Sequence, residues 1–165
     1  MSAVFLCGFM GCGKTKVGTL LAEALNEPFS DLDEYIVEKE GRSIPEIFSE
    51  SGEPYFRQTE AACIAELSEN GGVIATGGGA MLNPGTARLA RSRGQVLFLD
   101  VPFDVCYERI KGDTNRPLVM NNTPEQLEAL YDRRKSVYAD HSTHTIPHRE
   151  TAEERVALIL AFLHR

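Results

Sequence analysis

At 165 residues, of which 42% are hydrophobic and 25% charged, the chain has the make-up of a single globular domain and can bury roughly 70% of its unfolded surface. Its net charge of −7 argues against nucleic acid as a main partner, so positive charge that meets an anionic ligand must be local. No apolar run reaches membrane-spanning length, the N-terminus carries no basic region before its apolar stretch, and the four cysteines form no C-x-x-C pair, so the expectation is a cytoplasmic protein with free thiols.

The first element is Ala3-Val4-Phe5-Leu6-Cys7, a short apolar run that predicts a strand buried on both faces. Gly8-Phe9-Met10-Gly11-Cys12-Gly13-Lys14-Thr15 follows at once, and Val17, Leu20, Leu21, Ala24 and Leu25 then recur at helical spacing. A glycine-rich turn between strand and helix leaves backbone N–H groups free at the positive end of the helix dipole, which makes a phosphate cradle. The pattern G-x-x-x-x-G-K-T is that of a P-loop, with Lys14 in reach of the outer phosphates and the Thr15 hydroxyl in reach of Mg²⁺. A merely solvated turn would explain the glycines but not the Lys-Thr pair at that offset.

Pro28-Phe29-Ser30-Asp31-Leu32-Asp33 predicts a short second strand whose two carboxylates point the same way at its carboxyl end, where ligands sit in open parallel sheets. One of them suits a Mg²⁺ shell, through water, and the other suits hydrogen bonds from substrate hydroxyls. Asp33 can also be read as the N-cap of a helix over residues 34–40. Ser43-Ile44-Pro45-Glu46 is a capping box, and Gly52-Glu53-Pro54 breaks the chain before a longer helix with Phe56, Cys63, Ile64 and Leu67 as its packing stripe. Arg57 lies beside that stripe, either pointing into a cleft with Glu60 orienting it or forming a plain surface ion pair.

Residues 72–76 predict a buried third strand, and Gly77-Gly78-Gly79 directly after it points to close approach of a ligand to the main chain. Asn83-Pro84 opens a helix that closes at Gly94, residues 95–100 supply the fourth strand, and Pro102 starts a helix over residues 103–111. Arg109 sits in its last turn, where its plain role is to complement the dipole. Residues 112–122 have no period and are rich in turn formers, which predicts a lid-like loop with Arg116 near its middle. Thr123-Pro124-Glu125-Gln126 is another capping box, and its helix aligns Leu127, Leu130, Tyr131 and Tyr138 on one face. Arg134 shares that face whereas Arg133 does not, and a guanidinium on a packing stripe must find an anion. Residues 142–146 predict the fifth strand, and Thr151 caps a final helix with Val156, Ile159, Leu160 and Leu163 inside. The four histidines show neither metal-ligand nor triad spacing.

This alternation predicts an α/β three-layer sandwich around a five-stranded parallel sheet, with the helical insert and the Arg116 loop overhanging one cleft. That is the layout of a small-molecule phosphotransferase. A GTP-dependent switch is disfavoured, because neither an Asn-Lys-x-Asp nor an Asp-x-x-Gly motif is present. A gluconate or nucleoside monophosphate kinase of the same fold remains an alternative.

Taken together, Gly8 to Thr15, Asp31-Leu32-Asp33, Phe56-Arg57 with Glu60, Thr76 to Gly79, Arg116-Pro117-Leu118, and Arg134 four before Tyr138 closely resemble the shikimate kinase family of the nucleoside monophosphate kinase-like P-loop fold. The resemblance implies Mg²⁺-dependent transfer of phosphate from ATP to the 3-hydroxyl of shikimate in aromatic amino acid biosynthesis, by a monomer with neither membrane nor nucleic-acid partners. It implies a sheet order of 2-3-1-4-5, a substrate-binding insert over residues 33–61 and a lid over residues 112–123. ATP would be held by Gly11, Cys12, Gly13, Lys14, Thr15, Arg109 near the adenine, and Arg116. Shikimate would be held by Asp33, Arg57, Gly78, Gly79 and Arg134, with Lys14, Asp33 and Arg116 catalytic and the metal on Thr15 and, through water, Asp31. Two departures from the family pattern are Cys12, where Ala or Ser is usual, and Lys16, where a small hydroxyl residue often follows the motif.

Overall fold

The computed structural model describes residues 2–77 and 79–164. The chain runs β1 (Ala3–Cys7), α1 (Lys14–Leu25), β2 (Phe29–Asp31), α2 (Leu32–Glu40), α3 (Ile44–Leu67), β3 (Val73–Ala75), a 3₁₀ turn at Ala80–Leu82, and α4 (Pro84–Arg93). It continues through β4 (Gly94–Asp100), α5 (Phe103–Ile110), α6 (Pro117–Met120), α7 (Pro124–His141), β5 (His144–Pro147) and α8 (Ala152–Leu163). The five strands form one parallel sheet in the order β2-β3-β1-β4-β5, as the resemblance implied.

Strand alternation in β1 divides the core. Val4 and Leu6 pack with Val17 and Leu21 of α1 and Val156 and Ile159 of α8. Ala3, Phe5 and Cys7 face the opposite layer, against Leu32 and Ile36 of α2, Ile47, Phe56, Cys63 and Ile64 of α3, Ala87 and Ala90 of α4, and Tyr138 of α7. The result is helix, sheet, helix, with β1 buried on both faces because each face meets its own helical layer. Burying each large aliphatic side chain in these layers contributes about 1.5–3 kcal/mol. From β1 the chain first builds β2 and β3 on one side of β1 and then β4 and β5 on its other side, so the carboxyl end of β1 opens at a topological switch point.

Local chemistry moved several boundaries. The second strand stops at Asp31, so Asp31 and Asp33 do not share a strand face as expected. Asp31 is itself the N-cap of α2, its Oδ1 accepting from the Glu34 N–H at 3.1 Å, and Asp33 lies in the first helical turn. A three-residue edge strand gains little from lengthening, whereas the cap satisfies an orphan amide. Gly52 interrupts α3 where expected, with φ 84° and ψ 168°. The fifth strand starts two residues later than predicted, after Thr143 has tied its backbone N–H and its hydroxyl to the Val96 carbonyl. The loop over residues 112–122 contains the short α6, opened by Pro117 in its first turn.

Gly94 begins β4 opposite Ala3, and a Cβ there would lie 1.9 Å from the Ala3 carbonyl oxygen, which belongs to the central strand. Gly94→Ala is therefore expected to cost about 1–3 kcal/mol, read as a lowered urea midpoint. An unchanged midpoint would contradict this register.

Candidate active site

The turn between β1 and α1 is shaped by backbone conformation. Gly11 has φ 79° and Gly13, the N-cap of α1, has φ 95° and ψ 24°; no side chain caps this helix. Any residue but glycine is strained there. A Cβ on Gly11 would also meet the Cys106 carbonyl oxygen of α5 at 2.7 Å. The first-turn amides are thus left facing outward at the positive end of α1. Lys14 curls back, its Nζ donating to the carbonyl of Gly8 at 2.7 Å and that of Phe9 at 3.4 Å, with Cys12 Sγ 3.7 Å away. Cys12 is buried, as are Cys7, Cys63 and Cys106, and all four thiols are free. Burial pushes the Cys7 and Cys106 thiols up to about 12, so they stay protonated and inert.

A cavity of 430 Å³ opens over this turn, lined by residues 10–16, Asp31, Asp33, Ala75, Thr76, Gly77, Arg109 and Arg116. Lys14, Thr15, Asp31, Asp33, Arg109 and Arg116, expected from sequence to serve one site, therefore share one cleft. The Asp33 carboxylate packs directly on the main chain after β3, since a Cβ on Gly77 would sit 2.0 Å from its Oδ2. Among the described residues no donor hydrogen-bonds this carboxylate. Burial first, and then the neighbouring charge of Asp31, raise its pKa above the ordinary value, while Lys14 and Arg57 pull it back.

Arg57 adjoins the cleft. Its Nη1 bonds Glu60 Oε1 at 2.8 Å, and Glu60 is only 1% exposed, so the ion pair is a buried orienting contact rather than a surface one. Burial raises the Glu60 pKa and the Arg57 bond opposes that shift. Arg57 Nη2 lies 3.4 Å from where a Cβ on Gly79 would be, which places the guanidinium against that backbone. Gly78 lies outside the described residues. Arg134 is half-buried on α7 and does not line the 430 Å³ cavity; its charge and a hydrogen bond act on the Tyr138 hydroxyl, one turn on. Arg116, just before α6, pairs through Nε with Asp113 Oδ2 at 3.0 Å.

Arg109 does more than complement a dipole: its Nη1 donates to the Gly11 carbonyl at 2.8 Å. A second cavity of 420 Å³ lies past Gly13, between Arg109, Lys16 and the start of α8. It is bordered by Arg155, a residue that the sequence reading passed over. Arg155 is 3% exposed and its Nη1 donates to the Cys12 carbonyl at 2.7 Å. The signal was available: Arg155 stands on the buried stripe of α8 with Ala152, Val156 and Ile159, which is the reasoning that singled out Arg134.

Among the described residues no three His, Cys, Asp or Glu side chains cluster as a metal cage, and no helix is long and apolar enough to cross a membrane. Thr15 and Asp31 nevertheless offer the oxygen donors that a hard cation takes. Asp31 Oδ1 is engaged by the Glu34 amide, leaving Oδ2 for a metal-bound water. Such a sparse set fits Mg²⁺, which binds through one or two carboxylates and keeps waters and phosphate oxygens for the rest.

The family model described as shikimate kinase matches residues 10–164. The shikimate kinase of Geobacter sulfurreducens is 45% identical over 162 residues, covering 97% of this chain and 90% of that protein. That of Aquifex aeolicus is 42% identical over 137 residues, covering 82% of this chain and 81% of its own length. Among solved structures, the shikimate kinase of Acinetobacter baumannii in complex with shikimate superposes with a TM-score of 0.86 at 36% identity, covering 99% of this chain and 93% of that one. With a family match across nearly its whole length, and relatives this similar over most of theirs, the chain belongs to the shikimate kinase family.

Proposed function

We propose that this protein phosphorylates the 3-hydroxyl of shikimate with ATP, giving shikimate 3-phosphate and ADP on the route to chorismate and the aromatic amino acids. The observation that carries the reading is the meeting of a P-loop lysine, the desolvated carboxylate of Asp33 and the lid-loop Arg116 around one cavity, in a chain of this family. In this account the amides of residues 11–15 receive the phosphates, and Lys14 exchanges the Gly8 and Phe9 carbonyls for phosphate oxygens. Mg²⁺, held by Thr15 and through water by Asp31, would neutralise charge on the β- and γ-phosphates.

Shikimate presents a carboxylate, which suits the planar forks of Arg57 and Arg134, and ring hydroxyls, which suit Asp33 and the backbone of residues 78–79. The 3-hydroxyl oxygen forms its bond to the γ-phosphorus as the bond to the β-bridging oxygen breaks and ADP departs, and the hydroxyl proton passes to Asp33. Because the transition state is loose, alignment by Asp33 and charge stabilisation by Lys14 and Arg116 outweigh proton removal. Arg116 reaches the phosphates from the loop over residues 112–123, and Arg109 borders the adenine side. In this reading the chain works as a monomer in the cytoplasm without membrane or nucleic-acid partners, and its net charge of −7 speaks against nucleic acid.

The direct test is ATP consumption with shikimate, gluconate or AMP as acceptor. Turnover with shikimate alone is expected; preference for gluconate or AMP would overturn the substrate assignment.

Asp33→Asn separates the catalytic from the structural contribution. A carboxylate whose folded pKa is raised stabilises the fold below its ordinary pKa, and loses that contribution as pH rises through the raised value. At neutral pH the variant is therefore expected to melt no lower than the parent while turnover falls by about 10²–10⁴. The parent's kcat/KM should show an acid limb above the ordinary aspartate value of 3.8. A variant with parental turnover would remove Asp33 from the chemistry.

Arg134→Lys is expected to weaken shikimate binding by about tenfold or more, since an ammonium cannot reproduce the two-pronged contact, and to leave ADP binding unchanged. Unchanged shikimate titration by calorimetry would remove Arg134 from the substrate site.

A further inference from the structure

Arg155 is the buried charge that the mechanism above leaves unused. It projects from the first turns of α8 to the outside of the P-loop, where Nη1 holds the Cys12 carbonyl at 2.7 Å. Its Nε is buried with no hydrogen-bond partner among the described residues. Beside it, Arg109 from α5 holds the preceding carbonyl, that of Gly11, at 2.8 Å. The two guanidiniums converge on Gly13: a Cβ there would lie 3.0 Å from Arg155 Nη2 and 3.5 Å from Arg109 Nη1. Among the described residues neither arginine has a carboxylate within ion-pair distance, although Glu150 and Glu153 border the same 420 Å³ cavity.

Two consequences follow from elementary geometry and electrostatics. A trans peptide unit points its carbonyl and its amide in opposite directions. Fixing the Cys12 carbonyl on Arg155 therefore aims the Gly13 N–H the other way, and among the described residues no backbone group accepts from it. Meanwhile two adjacent, unneutralised cations repel each other until an anion arrives. Burial, and then the charge of Arg109, push the Arg155 pKa down, and burial, followed by the charges of Arg155 and Arg109, depresses that of His148 nearby.

We propose that Arg155 is a positioning residue for nucleotide binding: from α8 it holds the Cys12–Gly13 peptide so that its amide faces the phosphates, and its unpaired charge beside Arg109 is neutralised when the nucleotide binds. The inference rests on the reading of the turn as the ATP phosphate site. It assigns nucleotide affinity to a helix at the far end of the chain, and it makes Arg155 favourable to the complex but costly to the empty protein.

The test uses Arg155→Met, Arg155→Gln and Arg155→Lys in the full chain, with ADP calorimetry, thermal melts with and without ADP, and steady-state kinetics. Arg155→Met is expected to weaken ADP binding and raise the KM for ATP by about tenfold, the scale of one lost charge-assisted hydrogen bond. The KM for shikimate, and kcat at saturating ATP, should stay within about twofold, since neither depends on nucleotide affinity once the site is filled. The empty variant should melt at or above the parent temperature, and its ADP-induced rise in Tm should shrink. Arg155→Gln, which retains bulk and polarity without charge, gives the same reading if the methionine variant does not fold, and Arg155→Lys should recover part of the affinity. ADP affinity within about twofold of the parent in the uncharged variants would overturn the proposal, whatever their melting temperature, because plain packing of α8 would then be the whole role. Failure of the parent chain itself to bind ADP would instead overturn the nucleotide reading beneath it.

Discussion

The structure turns on how a few peptide units are held between β1 and α1. A phosphate cradle needs several N–H groups aimed at one point, yet nothing within the protein can satisfy them without blocking the ligand. Here the carbonyls on the same stretch are gripped by cations: Gly8 by Lys14, Gly11 by Arg109 and Cys12 by Arg155. Glycine at positions 11 and 13 supplies the left-handed backbone that this alternation requires. The sheet and its two helical layers then act as the frame that brings α5 and α8 to the loop.

This arrangement places the protein's electrostatic conflict in one region. An acidic chain has gathered Lys14, Arg57, Arg109, Arg116 and Arg155 near the carboxyl end of its central strands, Arg57 against Gly79 and the others around the two cavities. Two are paired with carboxylates, Arg57 with the buried Glu60 and Arg116 with Asp113, whereas among the described residues Lys14, Arg109 and Arg155 are in no ion pair. Asp33 faces the reverse problem, a carboxylate desolvated against Gly77 and raised in pKa. Such a site costs stability when empty and regains it on binding two anions, which is the usual relation between preorganisation and marginal stability.

Much of this was legible in the sequence where local chemistry decides the outcome. The strand-glycine-helix stretch, the break at Gly52 and the caps at Ser43, Asn83, Thr123 and Thr151 depend on near neighbours, and each stands where the residues put it. The sheet order needed the family resemblance, because strand neighbours are chosen by long-range packing. Asp31 and Asp33 were misplaced because two local preferences, extension and capping, competed within three residues, and the cap won at the earlier one. Arg109 looked like a dipole partner and is a clamp on the Gly11 carbonyl, which only the fold could show, since α5 and the turn are distant in sequence. Arg155 was hidden by its apolar neighbours on α8. A charged residue on a buried stripe is a sequence-level signal, and there it went unread.

The central claim is that cations behind the turn aim its amides at phosphate. A crystal structure of the complex with ADP and shikimate tests it most directly. The account predicts that Lys14 will have left the Gly8 carbonyl for a phosphate oxygen, that Arg155 will still hold the Cys12 carbonyl, and that the Gly13 amide will donate to the nucleotide. Phosphates bound elsewhere, with Lys14 still on Gly8, would contradict it.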